Sequence, residues 1–131
     1  MSFVSLVALT VHDYDEAISF YCEVLGFELV EDSPSETGDG RPKRWVVVRP
    51  PNAETGLLLA QADGPDQTAT VGNQHGGRVG FFLRVDDFDH TLVAIRGAGA
   101  TVHGEPRSEP YGTVVVFEDL YGNKWDLLGP L

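Results

Sequence analysis

The chain has 131 residues, enough for one ordinary domain, and its content of 42% hydrophobic and 22% charged residues is typical of a globular protein. Its formal net charge is -11, from 20 acidic against nine basic residues, and this excess would repel the phosphates of a nucleic acid. The longest apolar runs fall far short of the ~20 residues of a membrane-spanning helix, so neither nucleic acid nor a membrane is predicted as a partner.

The N-terminal segment and the cysteine content predict a cytoplasmic protein. Met1 leads directly into an apolar strand, without the basic n-region and small-residue cleavage site of a signal peptide. Cys22 is the single cysteine, which excludes an intramolecular disulfide and fits a reducing compartment.

The first half of the chain is predicted to form a strand, a helix and three further strands. Apolar residues alternate through residues 3–11, which indicates a strand, and their three- and four-residue spacing from Ala17 to Leu25 indicates a helix. Asp13 is placed to cap this helix and Gly26 to end it. Three short strands, the first two separated by a polar loop at 31–42, are predicted at 27–30, 45–48 and 57–60.

The second half repeats the order of the first, after a connecting loop at 63–77 that is rich in Gly, Asp, Gln and Thr. The clearest sign of repetition is the segment 7–15, which recurs as 81–89. In both copies an apolar strand leads through an acidic turn into an amphipathic helix. The elements predicted for the second half are a helix at 87–96 and strands at 79–85, near Thr101, at 113–117 and at 124–128.

Two segments carry a resemblance to a known family. Val11 to Phe27 reads Val-His-Asp-Tyr-Asp-Glu-Ala-Ile-Ser-Phe-Tyr-Cys-Glu-Val-Leu-Gly-Phe, and Phe117 to Leu127 contains the turn Asp-Leu-Tyr-Gly-Asn. Together they resemble the vicinal oxygen chelate superfamily, which holds the glyoxalase I, bleomycin-resistance and extradiol dioxygenase proteins. The resemblance covers both halves and implies an α+β fold, a homodimer, and two βαβββ modules that form a half-open barrel around a shared concave cleft. The modules of this single domain would span about 3–62 and about 78–131.

The resemblance also allows the residues at the superfamily's metal-binding positions to be checked one by one. In metal-dependent members of the superfamily, His, Gln or Glu side chains at four strand positions hold a divalent ion. By matching motifs, these positions are Leu6, Leu58, Gly80 and Asp126, and one carboxylate does not hold Zn, Ni or Fe tightly. No metal and no other cofactor is therefore predicted. The motif alignment at Leu58 can shift by one or two positions, so a metal site that uses Gln61 or a histidine stays an alternative.

Strand alternation predicts which side chains line the concave cleft. They form an apolar basin with a few charges, which suits a small, partly apolar ligand or substrate, although simple filling of a narrow barrel is an alternative. Arg78 offers a bidentate fork to an anion or, alternatively, forms a structural salt bridge. Either Trp45 or Arg44 faces the cleft, depending on strand register. The predicted ligand-binding residues are Leu6, Ala8, Leu58, Arg78, Phe82, Tyr111 and Asp126.

Two classes of function are compatible with these residues. The first is a non-catalytic binding protein that sequesters a planar molecule in the manner of the bleomycin-resistance proteins. The second is an enzyme with a diverged active site, either using acid–base chemistry by Asp126 with His75 or Tyr111, or using a metal held by other ligands. No two of the four histidines have the His-x-x-x-His spacing of a helical metal site.

Overall fold

The computed structural model describes all residues from Met1 to Leu131, and they divide into two compact units, Met1–Val71 and Gly72–Leu131. Each unit contains one four-stranded mixed sheet with a helix between its first two strands, which confirms the predicted α+β class and the repeated βαβββ order. The boundary between the units lies inside the segment 63–77. No helix is both long enough and apolar enough to span a membrane.

The first unit begins with β1 (Leu6–Val11) and the helix α1 (Tyr14–Ser19), which continues as a π-helical turn (Phe20–Val24). The strands β2 (Glu28–Glu36), β3 (Pro42–Arg49) and β4 (Gly56–Gln61) follow, and then the short helix α2 (Pro65–Thr68). The strand order is β1-β4-β3-β2, with β1 parallel to β4 and the other pairs antiparallel.

The end of β2 differs from the sequence-based expectation. A polar loop is predicted over 31–42, but β2 extends to Glu36 and β3 begins at Pro42. β2 is an edge strand with mostly exposed side chains, so neither of its faces imposes an apolar alternation. Its glutamates and Asp32 also discourage pairing of this edge with another chain. A strand of this kind is invisible to a search for alternating apolar residues.

The second unit has the same order of elements. It consists of β5 (Val79–Arg84), α3 (Phe88–Gly97), β6 (Val102–Glu109), β7 (Gly112–Glu118) and β8 (Lys124–Leu128). The strand order is β5-β8-β7-β6, with β5 parallel to β8. β6 starts near the expected Thr101 and runs on as a second long edge strand, and β8 has the predicted bounds.

Equivalent aspartates begin the main helix of each unit. The carboxylate of Asp13 accepts a hydrogen bond from the backbone N–H of Glu16 at 2.9 Å, and that of Asp87 accepts one from His90 at 3.1 Å. Each bond satisfies one of the unpaired N–H groups of a first helical turn. The predicted cap at Asp13 is thus confirmed, and the internal repeat reflects a shared local mechanism. Gly26 ends the first helical segment with a φ of +75°.

A buried aspartate fixes the last turn of the chain. The carboxylate of Asp119 accepts hydrogen bonds from the backbone N–H groups of Tyr121 and Asn123, at 2.9 and 3.0 Å. The side-chain amide of Asn123 donates to the same carboxylate at 2.9 Å. These bonds explain why the Asp-Leu-Tyr-Gly-Asn segment needs an aspartate and an asparagine four residues apart.

One face of each sheet packs against its own helix. α1 lies on β3 and β4, and α3 lies on β8. In the second unit the rings of Phe81 and Trp125 stack with centroids 4.7 Å apart, and Phe117 stacks on Trp125 at 6.0 Å. Such aromatic pairs stabilise a core by about 0.5–1.5 kcal/mol beyond the burial of their area. We call the opposite face of each sheet its open face.

Candidate functional site

A cavity of about 370 Å³ lies in the first unit, where the start of β3 meets the end of β4. Its volume is within the range typical of small-molecule sites. Trp45, Leu58 and Ala60 supply apolar surface, and Arg41 and Lys43 lie at its rim. The remaining side chains that line it include Tyr14, Thr37, Arg44, Gln61, Asp63 and Gln67.

The register of β3 places Trp45 and Arg44 on opposite faces of the first sheet. Val47 pairs with Leu58, and Trp45 shares their open face because alternate residues of a strand point the same way. The guanidinium of Arg44 lies 5.0 Å from the ring centre of Tyr14 in α1, so Arg44 belongs to the helix face. Trp45 is 38% exposed, which leaves part of its indole available to a ligand.

Carboxylates hold Arg41 at the rim of the cavity. Arg41 makes a bidentate pair with Asp63, at 3.0 and 2.8 Å, and a further bond from Nε to Asp39 at 3.0 Å. These bonds from Arg41 hold the pKa of Asp63 below its ordinary value. The charge of this guanidinium is therefore already neutralised.

Arg44 joins three elements of the first unit through its guanidinium. Its Nη2 contacts the carboxylates of Asp32 in β2 and Asp15 in α1, at 2.7 and 2.9 Å. The hydrogen bond from Arg44 lowers the pKa of Asp32. Both arginines at the cavity are thus paired, whereas Lys43 makes no ion pair and shares the open face with Trp45.

The open face of the second sheet carries a transverse row of four residues, one from each strand. Phe82 of β5 pairs with Asp126 of β8, Asp126 pairs with Val116 of β7, and Val116 pairs with His103 of β6. Phe82 is 62% exposed, so its ring forms apolar surface on this edge strand. Burial raises the pKa of Asp126, and the charge of Arg107 opposes this shift.

His103 forms a hydrogen bond with Glu118 on the same open face. Its Nε2 lies 2.6 Å from Oε2 of Glu118, and the two side chains are 44% and 26% exposed. The residues are on neighbouring strands and 15 positions apart in the chain. No local spacing in the sequence marks this pair, because it depends on the register of β6 against β7.

Arg78 lies in the loop before β5. Strand alternation is the reason for predicting it on the same face as Phe82, and that alternation does not extend to Arg78. A register shift between Val79 and Phe81 interrupts the alternation that would otherwise extend from Phe82 back to Arg78. The exposed guanidinium of Arg78 donates from Nε to the carbonyl of Val79 at 3.4 Å and pairs with no carboxylate. It borders a small cavity of about 10 Å³, together with Gln74, His75, Asn123 and Lys124.

Tyr111 lies in the turn between β6 and β7 and is 43% exposed. Its carbonyl accepts a hydrogen bond from Nη1 of Arg84 at 3.1 Å. Hydrogen bonds to Glu109 and to the Tyr111 phenol raise the pKa of Arg107. The tyrosine is thus within the same polar network as Arg107 on the second sheet.

The predicted apolar residues of the first unit share one face. Ala8 pairs directly with Leu58, and Leu6 is two residues away on the same strand. Leu58 lines the 370 Å³ cavity, whereas Leu6 and Ala8 lie further along the open face. Leu6 and Leu58 are half-buried and Ala8 is exposed.

The four positions that correspond to metal ligands in the superfamily do not fit a metal ion. Leu6, Leu58 and Gly80 offer no donor, which leaves the single carboxylate of Asp126. Gln61 donates a hydrogen bond from Nε2 to the backbone carbonyl of His12 at 3.1 Å, so its amide is turned toward the end of β1. No three His, Cys, Asp or Glu side chains are grouped so that they could hold a metal ion.

The chain belongs to the glyoxalase/bleomycin resistance protein/dioxygenase superfamily, whose family model matches residues 4–127. It is 50% identical to an uncharacterised protein of Shewanella frigidimarina over 123 residues, covering 93% of this chain and 89% of that one. This agreement with the resemblance of the two sequence motifs confirms the family.

Two solved structures from Streptomyces sp. CB03234 are similar over almost the whole chain. TnmS3, an antibiotic-binding protein, is 33% identical with a TM-score of 0.78, covering 100% of this chain and 98% of that one. A glyoxalase/bleomycin resistance protein is 31% identical with a TM-score of 0.72, covering 96% and 99% of the two chains.

Proposed function

We propose that the protein binds a small, partly apolar molecule on its open sheet faces, without a tightly held metal. The observation that carries this proposal is the cavity of about 370 Å³ in the first unit, which combines apolar surface from Trp45 and Leu58 with the polar rim. In small-molecule sites apolar area supplies affinity and a few polar groups fix orientation. The similarity to TnmS3, an antibiotic-binding protein, supports the same conclusion.

The chemistry of the cavity favours a planar aromatic ligand. The partly exposed indole of Trp45 offers a surface for ring stacking. The free ammonium of Lys43 lies on the same face and would attract an anionic substituent, whereas the neutralised Arg41 and Arg44 would not. Leu6, Ala8, Phe82, Tyr111, Arg78 and Asp126 are proposed as further ligand contacts.

The absence of a tightly held metal is proposed from the donor set. Three of the four superfamily ligand positions carry side chains without a donor atom, and Asp126 alone is insufficient. Binding would then rest on apolar contact and hydrogen bonds, with no cofactor.

The binding proposal is tested with 1-anilinonaphthalene-8-sulfonate, which is aromatic and anionic, and with a panel of aromatic antibiotics. Trp45 is one of two tryptophans, and the other, Trp125, is 4% exposed, so ligand-dependent changes in fluorescence should come from Trp45. We expect saturable binding that is weakened by Trp45→Leu. Val93→Ala, at a 70% exposed position on α3, is the matched control and should leave affinity unchanged. Equal weakening in both variants, or no binding of any probe, contradicts the proposal.

We further propose that the protein is a single-domain, cytoplasmic homodimer. The single cysteine fits a reducing compartment, and the resemblance to the superfamily implies a homodimer. Light scattering coupled to size-exclusion chromatography measures the mass directly. A monomeric mass near 14.2 kDa at working concentration would contradict the dimer.

An acid–base enzyme is the second candidate function, and one observation favours it. The contact of 2.6 Å between His103 and Glu118 resembles the arrangement in which a carboxylate orients a catalytic imidazole. This candidate concerns the second unit and does not depend on the cavity of the first.

A further inference from the structure

The sheet of the first unit divides into two arms around its cavity. The pairing of β3 with β4 ends at Val46 and Leu59, although β3 begins at Pro42 and β4 continues to Gln61. Beyond this point β3 stays paired with β2, and β4 stays paired with β1. We call residues 33–45 of β2 and β3, with the turn between them, the hairpin arm. Residues of both arms line the cavity of about 370 Å³, so the cavity lies in the fork between them.

Tyr14 fills the base of this fork from the side of α1. Its hydroxyl accepts a hydrogen bond from the backbone N–H of Arg44 at 3.2 Å, at a level of β3 that has no partner on β4. The tyrosine is 7% exposed, so its ring is part of the core. The two strands can therefore stay apart without leaving this backbone N–H unpaired.

The turn of the hairpin arm is held together by its own hydrogen bonds. The backbone N–H of Thr37 donates to the carbonyl of Arg41, and the N–H of Arg41 donates to the Thr37 hydroxyl, both at 2.9 Å. Nε of Arg41 also donates to both carboxylate oxygens of Asp39, at 3.2 and 3.0 Å. The turn therefore moves together with Arg41.

The bidentate pair of Arg41 with Asp63 joins the tip of the hairpin arm to the segment after β4. The two residues are 22 positions apart in the chain and lie on opposite sides of the cavity mouth. Their side chains are 55% and 45% exposed, and an ion pair in water holds two segments together only weakly. A two-stranded ribbon also has little stability of its own. The pair thus favours a closed fork that can still open.

We propose that the hairpin arm is a gate over the cavity and that the ion pair of Arg41 with Asp63 is its latch. While the pair is formed, it slows both entry into the fork and exit from it. When the pair breaks, the tip of the arm moves away from Asp63 and a ligand can pass. Because the pair forms in the free and in the occupied protein, it affects the rates of binding more than the affinity. This inference rests on the proposed binding function of the cavity.

The latch is tested in the free protein by NMR relaxation of backbone amides. Asp63→Asn removes the charge of the carboxylate and keeps its size. The order parameters of Gly38 and Gly40 in the turn should then fall from about 0.85 toward about 0.6. Asp66→Asn is the matched control, because Asp66 is exposed on α2 and forms no ion pair, and it should leave these values unchanged. Order parameters that stay at the wild-type level in Asp63→Asn overturn the latch.

The gate is tested by stopped-flow fluorescence with N-phenyl-1-naphthylamine, an aromatic dye without charge. Asp63→Asn should raise the association and the dissociation rate constants by similar factors, about two- to fivefold, as the loss of a weak exposed pair allows. Arg41→Gln should act in the same way, and the double variant should be no faster than either single variant, because both remove one interaction. Salt at about 0.5 M should accelerate the wild type and not Asp63→Asn, since it screens the pair.

The outcomes separate the gate from the ligand site. Rate constants that do not change in Asp63→Asn, or that rise equally in Asp66→Asn, overturn the gate. A rise in the dissociation rate constant alone would make Asp63 a ligand contact and overturns it as well. Failure of the dye to bind, or binding that Trp45→Leu does not weaken, contradicts the proposed function and with it the gate. The relaxation measurement in the free protein then still decides whether the latch exists.

Discussion

The imidazole of His75 occupies the space beside Gly80 that a side chain at that position would fill. A Cβ built on Gly80 would collide with Nδ1 of His75, and the same ring packs edge-on against Phe81 at 4.9 Å. Motif matching aligns Gly80 with one of the positions whose side chains bind the metal ion in metal-dependent relatives. Here the imidazole of His75 occupies the space that a side chain at position 80 would fill.

This relationship predicts the behaviour of Gly80→Ala. The added methyl group must displace the ring of His75, and we expect a loss of about 1–3 kcal/mol in the free energy of unfolding. Thermal or urea unfolding measures it. In the His75→Ala background the space is open, so the same substitution should cost much less, and the two changes should be non-additive. Equal costs of Gly80→Ala in both backgrounds would show that the contact with His75 is not responsible.

Metal content tests the consequence of the altered ligand set. Protein purified without chelators should contain no stoichiometric transition metal by elemental analysis and should lack glyoxalase I activity, because Leu6, Leu58 and Gly80 supply no donors. Dialysis against a chelator should leave the melting temperature unchanged. One Ni or Zn ion bound per chain would contradict this prediction.

The ion pair of Arg44 and Asp32 predicts a contribution to stability that depends on pH. The folded state lowers the pKa of Asp32 from its ordinary 3.8, so the carboxylate stabilises the fold above pH 3.8 and loses this effect as the pH falls through the folded value. Asp32→Asn should therefore cost up to about 1 kcal/mol at neutral pH, since the pair is partly exposed. The cost should shrink well below pH 3.8. Unfolding curves of both proteins at the two pH values measure it, and an equal cost at both would exclude the ion pair as its source.

The sequence is sufficient to predict the elements whose residues carry a local or periodic signal. Asp13 caps its helix as predicted, and β8 has the expected bounds because its apolar alternation is strong. β2 is missed beyond Val30 because an edge strand exposed on both faces has no periodic pattern. Such failures follow from the lack of burial, and not from unusual residue types.

The candidate sites are less accessible to prediction because they depend on pairing across strands. The register shift near Gly80 moves Arg78 out of the alternation that includes Phe82, and no local pattern marks that bulge. The contact of His103 with Glu118 requires the register of β6 on β7, which also contains a shift between His103 and Arg107. Strand register places Leu58 and Asp126 on the open faces of their sheets, and the bulge before Phe81 interrupts the alternation toward Arg78.

Lys43 should make the cavity of the first unit selective for anionic ligands. Its ammonium has no carboxylate partner, so it is available to an anionic substituent, and Lys43→Met keeps most of the apolar stem. We expect this change to weaken binding of 1-anilinonaphthalene-8-sulfonate by ~1.5–3 kcal/mol, the usual value of a hydrogen bond to a charged group. N-phenyl-1-naphthylamine, which lacks the sulfonate, should bind both proteins equally. Calorimetric titrations with both dyes test this prediction, and equal losses for the charged and uncharged dye would mean that Lys43 acts through packing.

Arg78→Ala should leave the melting temperature unchanged, because Arg78 forms no salt bridge.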